Sequence, residues 1–266
     1  MPTRKTDQSM SPARRHFLAA SAITASKVAA GGALATTVLS SSAQAFRPVD
    51  PRCFLRGTRI LTPRGEVRIE ELAIGDLVET VRGEAMPIKW IGRNSFTTNG
   101  SAWPESVMPI RIARFALDDQ TPHTDLYLSP WHALFIDGVL MPVKDLVNGT
   151  SIAPALPPGR EAIEYFHLVL DTHEVIVAEG APAETLRLTG AGREYETFTN
   201  FADYERLYPG EVGFTMQSYA PKVTYVTARA HVAALLRLGV SPLVDVRDPL
   251  QRAYDRIAAR ADAPVA

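Results

Sequence analysis

This 266-residue chain has a single cysteine, Cys53, so it has neither an internal disulfide nor a thiolate zinc cluster. The thiol is free, pairs with another chain, or reacts. Net charge is also nearly absent. With 28 basic and 29 acidic residues the balance at pH 7 is −1, which argues against a nucleic-acid partner or an acidic membrane surface. There is no HExxH and no tight His/Asp cluster, and no metal or cofactor is expected. No repeat or low-complexity segment follows the first 45 residues, and no long 3.6-periodic stretch lies between Cys53 and Leu188. The 46% hydrophobic content nevertheless suffices for one substantial core or two small ones and excludes wholesale disorder.

Residues 1–45 read as targeting rather than fold. A basic, polar start leads to Arg14-Arg15-His16-Phe17-Leu18, then an Ala/Ser/Thr-rich apolar stretch to Leu39 and the small-residue site Ala43-Gln44-Ala45. The paired arginines resemble a twin-arginine signal, with cleavage after Ala45 and export to the periplasm or the extracellular space. A membrane-anchored form is the weaker reading, because Lys27 interrupts the stretch and alanine and serine contribute little transfer free energy. Residues 46–52 then form a short peptide ahead of Cys53.

From Cys53 to Leu188 the chain reads as short strands punctuated by turns about every 8–12 residues. Strands are expected at Thr58–Leu61, Glu66–Arg68, Leu77–Val81, Pro87–Ile91, Val107–Ile112, Asp125–Leu128, Ala133–Ile136, Val139–Pro142, Tyr165–Leu170 and Val175–Ala178. Pro63-Arg64-Gly65 and Asp137-Gly138 supply hairpin turns. The natural assignment is an all-β domain over 53–188. A C-terminal extension follows over 189–266: irregular from Thr189 to Gly213, then helical at Val223–Leu238, closed by Gly239, and at Pro249–Ala261. Trp90, Trp103 and Trp131 read as core or hairpin packing.

Three separated blocks carry the chemistry. The first runs from Cys53 through Gly57-Thr58-Arg59-Ile60-Leu61-Thr62 to Ile69-Glu70-Glu71-Leu72 and Gly75-Asp76-Leu77-Val78. The second holds Ser129-Pro130-Trp131-His132, and the third runs from Tyr165 through His167 and His173 to Ala178-Glu179-Gly180. In this order and spacing they resemble the Hedgehog/intein (Hint) family, most closely its bacterial stand-alone domains.

The resemblance implies an all-β horseshoe of hairpins with the cysteine near its centre. It also implies an N-to-S acyl shift, in which the Cys53 thiol attacks the Arg52 carbonyl and converts the Arg52–Cys53 peptide bond into a thioester. The substrate would be the chain's own N-terminal segment, and water or a small nucleophile would resolve the thioester. A free thiol with a pKa of about 8.5 needs a base or a lowered pKa, and an amide nitrogen leaves only if protonated, a role that falls to His132. Ser129 stands where the family has the threonine of Thr-x-x-His and keeps its hydroxyl. His167 stands where an Asp or Cys often assists the cysteine. His173 resembles the third block's histidine with one residue of slippage. Either is a candidate proton relay, and a histidine satisfied by backbone is the alternative for each.

Departures from the family's pattern narrow the activity. Gly180-Ala181-Pro182-Ala183-Glu184-Thr185-Leu186 has no asparagine where splicing requires one, so full splicing is not expected. Three rivals remain: a metal enzyme using His123, His132, His167 and His173; a cysteine hydrolase acting on external substrates; and a non-catalytic scaffold with an envelope protein partner.

Overall fold

The computed structural model describes residues 52–189, 198–211, 214–224 and 248–262. The signal residues Arg14, Arg15, Ala43 and Ala45 lie outside them, as does nearly all of the helix expected at Val223–Leu238.

The strands are β1 (Phe54–Leu55), β2 (Arg59–Thr62), β3 (Gly65–Arg68), β4 (Leu77–Glu79), β5 (Ala85–Pro87), β6 (Trp90–Thr97) and β7 (Ile110–Ile112), then β8 (Leu126–Leu128), β9 (Ala133–Ile136), β10 (Val139–Pro142), β11 (Ile152–Pro154), β12 (Ala162–Val169), β13 (Val175–Ala178) and β14 (Ala181–Glu184). They build two six-stranded sheets, β11-β7-β8-β1-β12-β6 and β10-β9-β14-β13-β2-β3, beside the pair β4-β5. All their pairings are antiparallel.

Turn chemistry sets the hairpins. Asp137 and Gly138, at φ 51° and 83°, make the two-residue turn between β9 and β10, the left-handed conformation that an Asp-Gly pair tolerates best. Glu179 and Gly180, at φ 49° and 81°, do the same between β13 and β14.

Side-chain alternation along β12 serves two cores. Phe166 and Leu168 face one side with Phe54 and Ile176. Ile163, Tyr165 and Val169 face the other with Cys53, Leu55 and Trp90. Burying each such large apolar side chain contributes about 1.5–3 kcal/mol. The long pairing of β12 with β6, from Ala162↔Thr97 to Val169↔Trp90, makes this ribbon the spine beside which β1 lies.

Several boundaries differ from expectation. The strand expected at Pro87–Ile91 is split between β5 and β6, because Pro87 has no N–H to continue a ladder and ends its strand. Pro109 likewise delays the strand expected from Val107 until Ile110. Strands β11 and β14 escaped expectation because Ala and Pro carry little β-propensity. The stretch expected to be irregular holds a helix, α1 (Phe201–Leu207), too short to show a period. Its buried Tyr204 packs on Trp90 at 5.3 Å between ring centroids.

Helix α2 (Pro249–Ala261) has the expected bounds. Asp248 caps it by accepting the Gln251 N–H at 2.8 Å, and Pro249 opens its first turn. Leu250, Ala253 and Ile257 are buried, joining the core that holds Val143 and Leu146. Among the described residues no helix is long and apolar enough to cross a membrane.

Candidate active site

Register places the site. β1 is flanked by β8 and β12, with Phe54 opposite Leu128 on one side and Phe166 on the other. One step further along both ladders sets Cys53 between Ser129 and His167. Two hydrogen bonds fix the first of these pairs. The Ser129 N–H donates to the Cys53 carbonyl at 2.9 Å, and the Cys53 N–H donates to the Ser129 hydroxyl at 2.7 Å. The hydroxyl thus takes the place of the serine's own carbonyl in the ladder.

The spacing of Ser129 and His132 has a local cause. Ser129-Pro130-Trp131-His132 is a tight turn in which the His132 N–H donates to the Ser129 carbonyl at 3.1 Å, with Pro130 presetting the second position. The turn returns the histidine to the strand end that the serine occupies. Beyond it, the Ala133 N–H donates to Glu184 Oε1 at 3.0 Å and the Val143 N–H to the His132 carbonyl at 2.9 Å. The imidazole then lies against Phe54, with ring centroids 4.3 Å apart, and 5.0 Å from the ring of His167.

Cys53, Ser129, His132 and His167 are all fully buried. Among the described residues none of the four ring nitrogens of His132 and His167 has a hydrogen-bond partner. Such groups are normally satisfied when buried, which makes these two imidazoles beside one peptide bond candidates for a functional role.

Burial dominates the electrostatics. It pushes the Cys53 thiol well up, and the Arg52 backbone opposes this only in part. Burial takes His132 down to about 4, while Glu184 and the Arg52 backbone, outside hydrogen-bonding geometry, favour its charged form. The His167 imidazole lies well below its ordinary range, through burial and then repulsion from His132. Burial thus favours the neutral form of all three groups, the thiol and both imidazoles.

Behind the turn sits a buried charge. Burial alone would raise the Glu184 carboxyl, but His173, Lys222 and His132 together hold it well below the carboxylate range. Lys222 Nζ donates to Glu184 Oε1 at 2.9 Å, and His173 Nε2 stands 3.5 Å from Oε2. The Tyr219 N–H donates to His173 Nδ1 at 3.0 Å, which leaves the proton of a neutral ring on Nε2, facing Glu184. His173 is thus placed beside Glu184, with its Nδ1 accepting the Tyr219 backbone N–H, and away from Cys53.

Cys53, Ser129, His132 and His167 converge, with Arg52 at the amide they surround. Sequence reasoning gave no role to Glu184 or Lys222. The signal available was a lone glutamate in the small, apolar run Ala181-Pro182-Ala183. The four-histidine metal centre is not assembled. His132 and His167 adjoin, His173 belongs to Glu184, and His123 lies with Glu66 and Glu179.

A family model described as "Hint domain" matches residues 52–190, more than half of the chain. No curated protein matches it. Among solved structures, the MchDnaB-1 intein (N145AA) is 12% identical, with 50% of this chain and 99% of that one covered at a TM-score of 0.38. An intein-like domain from Clostridium thermocellum is 14% identical, covering 51% and 99% at 0.36. A DnaB intein from Synechocystis sp. PCC 6803 is 12% identical, covering 50% and 98% at 0.36. With its Cys-led block, its Ser-x-x-His turn and the family match over the whole β domain, the chain belongs to the Hint-domain family.

Proposed function

We propose that this domain cleaves its own chain by an N-to-S acyl shift at Arg52–Cys53. The observation that carries the reading is the clamp on that peptide unit: the amide N–H to be released is held by the Ser129 hydroxyl at 2.7 Å, in a site with two unpartnered imidazoles.

Sγ of Cys53 bonds to the Arg52 carbonyl carbon as His132 takes the thiol proton. The C–N bond then breaks, and His132 returns that proton to the departing nitrogen. The product is an Arg52 thioester on Cys53 with a free α-amine. His132 acts as base first and acid second, because a neutral imidazole with a pKa of about 4 has no acidic proton to give at the outset. The negative charge of Glu184 favours the imidazolium formed between these steps. Ser129 holds the nitrogen in place, and His167, opposite Cys53, is the second proton relay. Water or a small nucleophile resolves the thioester. Complete burial of Cys53 favours the chain's own peptide over an external substrate.

The reading extends to location: the Arg14–Arg15 pair and the Ala43–Ala45 site support export by a twin-arginine-type route, with the signal removed after Ala45.

An N-terminal cysteine is the chemical signature of this reaction. A fluorescent peptide thioester added to thiol-treated protein after unfolding in guanidinium, which exposes the buried cysteine, should become ligated to Cys53. Absence of label in unfolded, thiol-treated wild type, under conditions that label a control peptide beginning with cysteine, contradicts the proposal.

A further inference from the structure

Away from Cys53, the side chains of Glu66 on β3, His123 in the loop before β8, and Glu179 in the β13–β14 turn meet at the protein surface. One donor atom from each gives a set lying within 4.8 Å of one another. His123 Nε2 is 2.6 Å from Glu66 Oε1, and Nδ1 is 4.0 Å from Glu179 Oε2.

Glu179 is the informative member. It is 5% exposed, and its Oε1 accepts the Arg59 N–H at 2.7 Å. Its Oε2 is buried, has no hydrogen-bond partner among the described residues and faces His123. A buried carboxylate oxygen without a donor is costly unless a cation or proton meets it. Its carboxyl pKa is raised, first by burial and further by the neighbouring Glu66.

The frame around these donors is fixed. The His123 N–H donates to the Glu179 carbonyl at 3.0 Å and the Glu179 N–H to the Arg59 carbonyl at 2.9 Å. Gly180 admits the ring, since a Cβ there would stand 3.0 Å from His123 Cδ2. The Glu66 and His123 side chains stay 26% and 40% exposed, which leaves a path from solvent.

We propose that Glu66, His123 and Glu179 bind a divalent transition-metal ion, with zinc as the fitting case. One imidazole nitrogen and two carboxylate oxygens are a borderline-to-hard donor set that leaves a fourth tetrahedral position for water. Tetrahedral zinc, with bonds of about 2.0–2.2 Å, holds its donors about 3.3–3.6 Å apart. Donors that stand from 2.6 Å to at most 4.8 Å apart reach that spacing by side-chain shifts of about an ångström, the near pair opening and the far ones closing. The ion neutralises the two carboxylates and ties β3, the loop before β8 and the β13–β14 turn together. It is independent of the cysteine chemistry.

The test is calorimetric titration of zinc chloride into the chelator-stripped full chain. The expected result is one zinc per chain, with affinity reduced at least about tenfold in His123→Ala and in Glu66→Gln. Both substitutions sit on partly exposed side chains. Glu179→Gln should do the same if it folds, and Cys53→Ala should bind as wild type. No stoichiometric binding, or wild-type affinity in both His123→Ala and Glu66→Gln, overturns the site. So does loss of binding in Cys53→Ala, which would assign the ion to the thiol.

Discussion

The Cys53 N–H donates to the Ser129 hydroxyl at 2.7 Å while the Ser129 N–H donates to the Cys53 carbonyl at 2.9 Å, so the strand ladder ends in a side chain instead of a carbonyl. Both groups are buried. The bond ahead of Cys53 is thereby fixed in space at the point where its nitrogen would leave in the proposed acyl shift.

Ser129→Ala leaves the Cys53 N–H without its acceptor. The expected destabilisation is about 1–3 kcal/mol by denaturant unfolding, the penalty of an orphaned buried donor. Ser129→Thr keeps the hydroxyl and should recover both stability and cleavage.

Depression of His132 from its ordinary 6.5 to about 4 makes stability depend on pH. The unfolded chain binds the proton first as pH falls, so the contribution is complete above about pH 6.5 and is lost progressively toward pH 4. His167 acts in the same direction. The His132 contribution is on the order of 3 kcal/mol. Glu179, whose pKa is raised, acts oppositely, being lost as pH rises. The decisive quantity is therefore the difference between wild type and His132→Leu, measured by urea unfolding from pH 4 to 7. It should shift against wild type as pH drops, and a pH-independent difference contradicts the burial of a neutral imidazole.

Glu184→Gln removes the charge facing Lys222 and His173. A buried pair broken on one side loses about 3–5 kcal/mol, with the lower end expected where Lys222 retains some solvent. Adding Lys222→Met should restore much of that stability. If Glu184 also favours imidazolium at His132, the restored double variant will still cleave more slowly than wild type.

Gly92→Ala tests the α1 packing. A Cβ at this position lies 2.7–2.9 Å from the Phe198 ring. The expected cost is about 1–3 kcal/mol, seen as a lowered melting temperature, because the ring is held against Trp90 at 5.5 Å and has little room to retreat. Phe198→Leu should relieve it.

Much of the architecture was readable because local chemistry decides it. Asp137-Gly138 can hardly be anything but a hairpin turn, and the charges at helical spacing from Arg247 to Arg260 point to the helix at Pro249–Ala261, whose other face is buried through Leu250, Ala253 and Ile257. Ser129 and His132 were readable as partners through their resemblance to the family's Thr-x-x-His motif. What escaped depends on contacts distant in sequence. Nothing near Glu184 announces that Lys222, 38 positions later, neutralises it. Glu66 and Glu179 meet because β2 pairs with β3 and β13, and His123 joins them by donating its N–H to the Glu179 carbonyl. His167 and His173 look alike in the chain, and only the register of β12 against β1 separates the one opposite Cys53 from the one bound to Glu184.

The most direct measurement of the central claim is intact mass after incubation with hydroxylamine at neutral pH, for wild type beside Cys53→Ala. Wild type should yield a fragment beginning at Cys53 and an upstream peptide ending in an Arg52 hydroxamate, while Cys53→Ala stays whole. A wild-type chain that stays whole, or the same cut in both proteins, contradicts attack by Cys53 on its own preceding carbonyl.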